Sequence, residues 1–284
     1  MTAPPLARAP ALADLLARLP PPIVVFNKSH SGSRLTAKLL AGGGVFMGAH
    51  QNRTRDAWDI LPLVRYLVLR HYPDYGAALD GADPMLAEVV RAALERHVEG
   101  YDPTSGRRWG WKLCETSFIL PVIAACFPAA DFVHLLRDGR DVAFSDHTGP
   151  VDPFWRKLYF GTDAIEQWRG LPLTGRAYRR EPHIFNAQHW VASVTAGRTY
   201  GQALGERYFE LRYEALCGEW EATAERLFDR LGLGSAAAAL AAFSEKVDGR
   251  SVGKFRRRPA RQRQAVLEII GPVQAELGYP VADA

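Results

Sequence analysis

Small and basic residues follow the first predicted strand of the chain. The apolar run Ile23-Val24-Val25-Phe26 leads into a polar turn that contains Ser31-Gly32-Ser33, and a helical pattern begins near Leu35. Backbone N–H groups and the dipole at a helix start favour an anion. Three basic side chains lie around the turn: Lys28, His30 and Arg34. The segment predicts an anion site, although it lacks the GK[ST] ending of a nucleotide-hydrolase P-loop.

A second polar group follows the apolar run 132–136. Arg137 leaves the end of this predicted strand, and Ser145 lies eight residues later, about two turns along the next helix. Ligands of an open parallel sheet bind at the carboxyl ends of its strands, so both side chains could face one anion. A structural ion pair between Arg137 and Asp141 is equally compatible with the sequence.

A basic run lies near the carboxyl end of the chain. Residues 250–263 contain no acidic residue and seven basic ones: Arg250, Lys254, Arg256, Arg257, Arg258, Arg261 and Arg263. The 284-residue chain has a formal net charge of only +4, so the remainder is mildly acidic. A solvated face is the usual interpretation of such a run, and a bound polyanion is the alternative. Phe255 is the only aromatic residue in it, so we expect no nucleic-acid partner.

Short apolar strands alternate with helical patterns. Strands are predicted at 23–26, 109–113, 132–136 and 208–212, and helices at 117–127, 140–147 and 219–231. This alternation indicates βαβ units and an α/β fold with a central parallel sheet flanked by helices. No repeat or linker divides the chain, so we expect an N-terminal lead-in at 1–21 and a single domain at 22–284.

The composition excludes several classes of protein. With 48% hydrophobic and 23% charged residues, the chain can bury a substantial core and is not disordered. Three cysteines without CxxC or zinc-ligand spacing argue against a disulfide framework and a metal site. Prolines interrupt both the longest apolar stretch and the N-terminal region. We therefore expect no membrane span, no signal peptide and a cytoplasmic location.

Three segments, taken in this order, resemble the sulfotransferase family that uses 3′-phosphoadenosine 5′-phosphosulfate (PAPS). They are Ser31-Gly32-Ser33, the run from Arg137 to Ser145, and Leu211-Arg212-Tyr213-Glu214-Ala215-Leu216. The resemblance covers about residues 22–280 and implies a P-loop nucleoside-kinase-like architecture without a metal. It implies that the turn at Ser31, Gly32, Ser33 and Arg34 holds the 5′-phosphosulfate. It also implies that Arg137 and Ser145 hold the 3′-phosphate, with help from Lys254 and one or two of Arg256, Arg257 and Arg258.

The resemblance leaves the catalytic groups open. Many members carry Lys or Arg directly before the Ser-Gly, to reach the bridging oxygen of the donor, whereas this chain has His30 there and Lys28 two residues earlier. Lys112 resembles a lysine that some members place near the sulfuryl group, and a surface or ion-paired lysine is the alternative.

The family's base is a histidine or a carboxylate on the acceptor side. His50 lies nearest the position where some members carry a glutamate, and its ordinary pKa suits neutral pH. Asp56 competes for the role, but it also fits a helix N-cap. His30 could act as base, as leaving-group acid or as anion ligand.

Residues 148–182, rich in proline and aromatic residues, are predicted to form an acceptor-side insertion or lid, or else a surface excursion without function. The acceptor, a small molecule, a glycan or a peptide, stays open, as does the oligomeric state. The rival functions are an ATP-dependent kinase and a non-catalytic nucleotide- or RNA-binding protein.

Overall fold

A parallel sheet forms the centre of the molecule. The structure is a computed structural model that describes residues 4–145, 181–243, 247 and 249–282. Within these residues four strands lie in the order β2-β1-β3-β4: β1 (Ile23–Asn27), β2 (Gly110–Lys112), β3 (Asp131–Leu136) and β4 (Tyr208–Arg212). All neighbouring strands pair in parallel, which confirms the predicted α/β architecture. Their carboxyl ends therefore share one edge of the sheet.

Helices cover the sheet. Those of the described residues are α1 (Pro10–Arg18), α2 (Ser33–Gly42), α3 (Leu61–Arg70), α4 (Gly76–Leu79), α5 (Leu86–His97), α6 (Leu120–Cys126), α7 (Gly139–Ala143), α8 (Pro182–Gln202), α9 (Tyr213–Gly218), α10 (Trp220–Arg230), α11 (Ala237–Ala241) and α12 (Ala260–Glu276). Short 3₁₀ helices lie at Pro5–Arg8, Cys114–Phe118, Gly205–Arg207, Gly249–Ser251 and Lys254–Arg257. No helix among the described residues combines the length and the apolar character that crossing a bilayer requires.

The central strand β1 is buried along its whole length. Its side chains alternate between the two faces of the sheet. Val24 and Phe26 join an apolar cluster with α1, α3, α5 and α6, whereas Ile23 and Val25 join one with α2, α10 and α11. A third cluster packs α7, α8 and α12 against the end of β3. Because both faces are covered, β1 is a continuous apolar run rather than an alternating one.

The structure places three predicted elements differently. The strand expected at 109–113 pairs over Gly110–Lys112, and Trp109 forms an isolated bridge with Phe46. The helix expected at 117–127 forms two elements instead, a 3₁₀ helix at Cys114–Phe118 and then α6. Pro121 lies in the first turn of α6, where a missing N–H costs no hydrogen bond. The helix expected at 140–147 spans Gly139–Ala143 with Phe144 as its C-cap, and the Asp138 carboxylate caps its start by accepting from the Arg140 N–H at 2.9 Å.

Candidate functional site

A cavity of about 490 Å³, here called the main cavity, opens where the four strands end. Its walls come from the segments after each strand, from the loop before α3 and from the segment around Ser251. The lining residues are Ser29, His30, Gly32, Ser33, Arg34, Leu35, Thr54, Lys112, Cys114, Arg137, Ser145, Tyr213, Val247, Ser251 and Lys254. The structure thus brings together most of the residues that the sequence predicted to hold an anion.

The turn after β1 has a backbone conformation that builds one wall. His30 and Gly32 both have positive φ, 71° and 91°, and the Ser31 hydroxyl donates to the Lys28 carbonyl at 2.8 Å. A Cβ atom at Gly32 would lie 2.5 Å from the Tyr213 ring, so glycine is required by packing as well as by φ. Helix α2 then begins at Ser33. The Leu35 and Thr36 N–H groups donate to the Gly32 carbonyl at 2.9 and 3.3 Å, so Ser33 and Arg34 bring the N–H groups of the helix start to the cavity wall, as an anion site requires.

Arg137 lines the cavity and also ties its walls together. Its guanidinium donates to the His30 carbonyl at 2.8 Å and to the Ser251 carbonyl, and it lies 4.1 Å above the Tyr213 ring. It also pairs with Asp141 at 3.6 Å. The two interpretations left open by the sequence, a cavity-lining arginine and an ion pair with Asp141, therefore coexist in one side chain.

Asp141 fixes the start of the basic run against the site. Its buried carboxylate accepts from the Gly253 N–H at 2.7 Å and from the Phe255 N–H at 3.0 Å. Lys254, between them, donates to the Ser145 hydroxyl at 2.8 Å. Lys254 and Ser145 therefore meet beside Arg137, although more than one hundred residues separate them in the chain.

The remaining basic residues of that run are arranged differently. Arg256 and Arg257 are exposed, and neither is among the described residues that line the main cavity. The Arg256 guanidinium lies over the Phe255 ring, 5.5 Å from its centre. Of the predicted 3′-phosphate ligands in this run, the structure thus places Lys254 at the cavity wall.

Lys112, at the end of β2, is 4% exposed and lines the cavity. Its ammonium group lies 2.6 Å from the Asp56 carboxylate. Burial disfavours its charge, but the surrounding negative groups, Asp56 among them, hold the pKa of Lys112 above its ordinary value. Lys112 is thus an ion-paired lysine that also lines the cavity.

The N-cap expected at Asp56 is wrong. Helix α3 begins at Leu61 with Ile60 as its N-cap, because the loop before it folds back on itself. Within that loop the Asp56 carboxylate accepts from Asn52 at 3.0 Å and from the Thr54 hydroxyl. Three donors, counting Lys112, therefore fix this carboxylate at the edge of the main cavity.

A carboxyl group that the sequence alone did not single out lies next to this ion pair. Glu115 lines a smaller cavity of about 100 Å³, here called the Glu115 pocket, together with Asn52, Asp56, Trp58, Leu61, Arg65 and Leu113. Burial and, next, the negative charge of Asp56 raise the pKa of Glu115 to about 7. The available signal was its position, three residues after Lys112 at the end of a strand.

Two further ionisable groups, the Cys114 thiol and the Lys28 ammonium, lie near these residues. Burial raises the pKa of the Cys114 thiol to about 12, so it is a neutral thiol at neutral pH. Lys28 is 1% exposed and donates to the Ser29 hydroxyl at 2.9 Å. Burial lowers the pKa of Lys28 to about 7. Its ammonium group therefore contacts the turn through Ser29, and Lys28 is not among the described residues that line the main cavity.

His50 lies elsewhere. Its Nδ1 is 3.0 Å from the Asp59 carboxylate, and its Nε2 is 4.0 Å from Glu99. His50 is not among the described residues that line the main cavity or the Glu115 pocket. The predicted insertion at 148–182 lies outside the described residues up to position 180.

A parallel sheet whose first strand leads through a small polar turn into a helix start is an arrangement in which many α/β proteins bind phosphate groups. The model of the sulfotransferase family matches residues 22–236. The chain therefore belongs to the sulfotransferase family.

Solved structures show the same fold at low sequence identity. The sulfotransferase domain of the Synechococcus PCC 7002 olefin synthase is 15% identical, with a TM-score of 0.53 over 90% of this chain and 95% of that one. The sulfotransferase domain from the curacin biosynthetic pathway is 16% identical, with a TM-score of 0.52 over 93% of this chain and 100% of that one. Sulfotransferase STF9 from Mycobacterium avium is 12% identical, with a TM-score of 0.51 over 97% of this chain and 83% of that one. No curated protein matches the chain.

Proposed function

We propose that the protein transfers the sulfuryl group of PAPS to a hydroxyl or amine of an acceptor molecule. The observation that carries this proposal is the convergence of four cationic side chains on one cavity: Arg34, Lys112, Arg137 and Lys254. A donor with a 3′-phosphate and a 5′-phosphosulfate supplies the matching negative charges. Membership of the sulfotransferase family supports the same donor.

The two ends of the donor have separate partners in this proposal. The 3′-phosphate is held by Arg137, Lys254 and the Ser145 hydroxyl. Lys254 already donates to Ser145, and Arg137 donates to the Ser251 carbonyl in the same segment as Lys254. The N–H groups at the start of α2 and Arg34 hold the 5′-phosphosulfate, and Lys28 contacts the same turn through Ser29.

Lys112 is the cation for the transferring group. The acceptor oxygen or nitrogen attacks sulfur in line, the new bond to sulfur forms, and the bond from sulfur to the bridging oxygen breaks. Adenosine 3′,5′-bisphosphate leaves with the electron pair. Lys112 stabilises the charge that develops on the sulfuryl and bridging oxygens, and Asp56 holds the ammonium group in position at 2.6 Å.

Glu115 receives the acceptor proton in this proposal. A pKa of about 7 gives a carboxylate that is basic enough to take a proton and is available near neutral pH. Asp56 is less suited to the task because Lys112, Asn52 and Thr54 already donate to it. His50 is paired with Asp59 away from both cavities.

The donor assignment is tested with sulfur-labelled PAPS, purified protein and a cell extract. We expect labelled product with the wild type and loss of label with Lys112→Met, whose affinity for adenosine 3′,5′-bisphosphate should remain nearly unchanged. Absence of bisphosphate binding, or transfer that needs ATP and magnesium instead, contradicts the proposal.

The base assignment is tested by comparing Glu115→Gln with His50→Ala on the labelled product. Removal of a general base should lower turnover by about 10²–10⁴-fold in Glu115→Gln. The wild-type rate should rise with pH through about 7, since the carboxylate must be deprotonated, and that rise should vanish in the variant. A large loss in His50→Ala together with normal turnover in Glu115→Gln would instead establish the sequence-based assignment to His50.

A further inference from the structure

An apolar groove lies beside the Glu115 pocket, between the start of α3 and helix α5. Its volume is about 370 Å³, and Pro62, Val89, Ala92 and Ala93 form its apolar walls. This volume lies within the range of small-molecule sites, roughly 300–1,000 Å³. We call it the α3–α5 groove.

Trp58 joins the groove to the Glu115 pocket. Its indole lines both cavities, and the residue is 58% exposed. An indole that is left this open at the junction of two cavities presents a flat apolar surface to a ligand. One molecule can therefore contact both cavities along Trp58.

The charged groups at the groove are already compensated. The buried Asp59 carboxylate lies 3.0 Å from His50 Nδ1 and 3.4 Å from Arg96 Nε. Among the described residues that line it, the groove therefore offers no uncompensated buried charge, and it favours an uncharged apolar ligand over an ionic one.

The sizes of the two cavities divide the ligand into two parts. The Glu115 pocket, at about 100 Å³, holds a hydroxyl with a few neighbouring atoms, whereas the α3–α5 groove holds a chain or ring several times larger. We propose that the acceptor is an uncharged amphipathic alcohol or phenol, whose hydroxyl lies at Glu115 and whose apolar body crosses Trp58 into the groove. This inference rests on the proposed function and specifies its substrate class.

The test measures binding of 4-alkylphenols, from 4-methylphenol to 4-hexylphenol, to the full chain saturated with adenosine 3′,5′-bisphosphate. Burial of each added methylene should lower the dissociation constant by about fourfold. Ala92→Trp fills the groove from its wall and should abolish this dependence on chain length. Glu88→Trp places the same indole on an exposed position of α5 and should preserve it.

Thermal denaturation of each variant shows whether it folds. Trp58→Ala removes the wall that the two cavities share and should make the dissociation constant less dependent on alkyl-chain length. It therefore replaces Ala92→Trp as the test variant if Ala92→Trp does not fold. Affinity that does not change with chain length in the wild type, or that changes equally in the folded groove variants, overturns the inference. Loss of bisphosphate binding or of sulfuryl transfer, with the phenol series intact, counts against the proposed function instead.

Discussion

Replacing Lys254 by methionine isolates the proposed 3′-phosphate contact. Methionine keeps much of the side-chain length and removes the charge. Lys254 donates to Ser145 at the cavity wall, and the backbone on either side of it is held by Asp141. The loop should therefore keep its position when the ammonium group is lost.

The expected loss follows from the contact that disappears. A hydrogen bond to a charged group contributes about 1.5–3 kcal/mol, which corresponds to roughly 10- to 160-fold in affinity. Lys254 is half-buried at the mouth of the cavity, so water screens part of this interaction. We expect the dissociation constant for adenosine 3′,5′-bisphosphate to rise by about 10- to 50-fold.

Calorimetry with two ligands separates this contact from general attraction. Adenosine 5′-monophosphate lacks the 3′-phosphate, so its affinity should change by no more than about twofold in Lys254→Met. Arg257→Met is the matched control, because it removes a positive charge from the same segment at an exposed position outside the cavity walls.

Two results would refute the reasoning. Equal losses for the two nucleotides in Lys254→Met would show that Lys254 does not contact the 3′-phosphate. Equal losses in Lys254→Met and Arg257→Met would show that the basic run attracts the nucleotide by its overall charge.

Three further predictions concern the anion-binding turn. Binding of the bisphosphate at pH 8 should be accompanied by uptake of as much as one proton, because burial lowers the pKa of Lys28 to about 7 and a bound anion raises it again. Calorimetry in buffers of different ionisation enthalpy measures this uptake, which should be smaller in Lys28→Met. Gly32→Ala should lower the free energy of unfolding by about 1–3 kcal/mol more than Gly44→Ala, since both glycines have positive φ but only the first would press a Cβ against Tyr213; equal denaturant midpoints would contradict this. Arg137→Ala should weaken bisphosphate binding by about 1.5–3 kcal/mol. It should also lower the melting temperature, because the guanidinium joins the backbone at His30 to the backbone at Ser251. Unchanged affinity by calorimetry would exclude Arg137 from the site.

The sequence by itself determined the parallel architecture and predicted several residues that the structure brings to one cavity. An apolar run followed by a small polar turn and a helical pattern is a local signal, and it located Ser31, Gly32 and Ser33 after β1. The rule that parallel strands end at one edge then brought Arg137 and Ser145 to the same place. The helix limits were less predictable because caps and 3₁₀ turns, such as those at Asp138 and Cys114–Phe118, depend on individual hydrogen bonds.

The tertiary structure alone decided which ionisable groups meet. Asp56 and Lys112 form an ion pair across 56 positions because the loop before α3 folds back against the end of β2. The same packing raises the pKa of Glu115 and directs His50 towards Asp59. Residue types and spacing do not report desolvation or long-range contacts, which arise only when distant segments pack together. For that reason the sequence predicted the residues of the proposed anion site, whereas the candidate base and the proposed acceptor groove came from the folded chain.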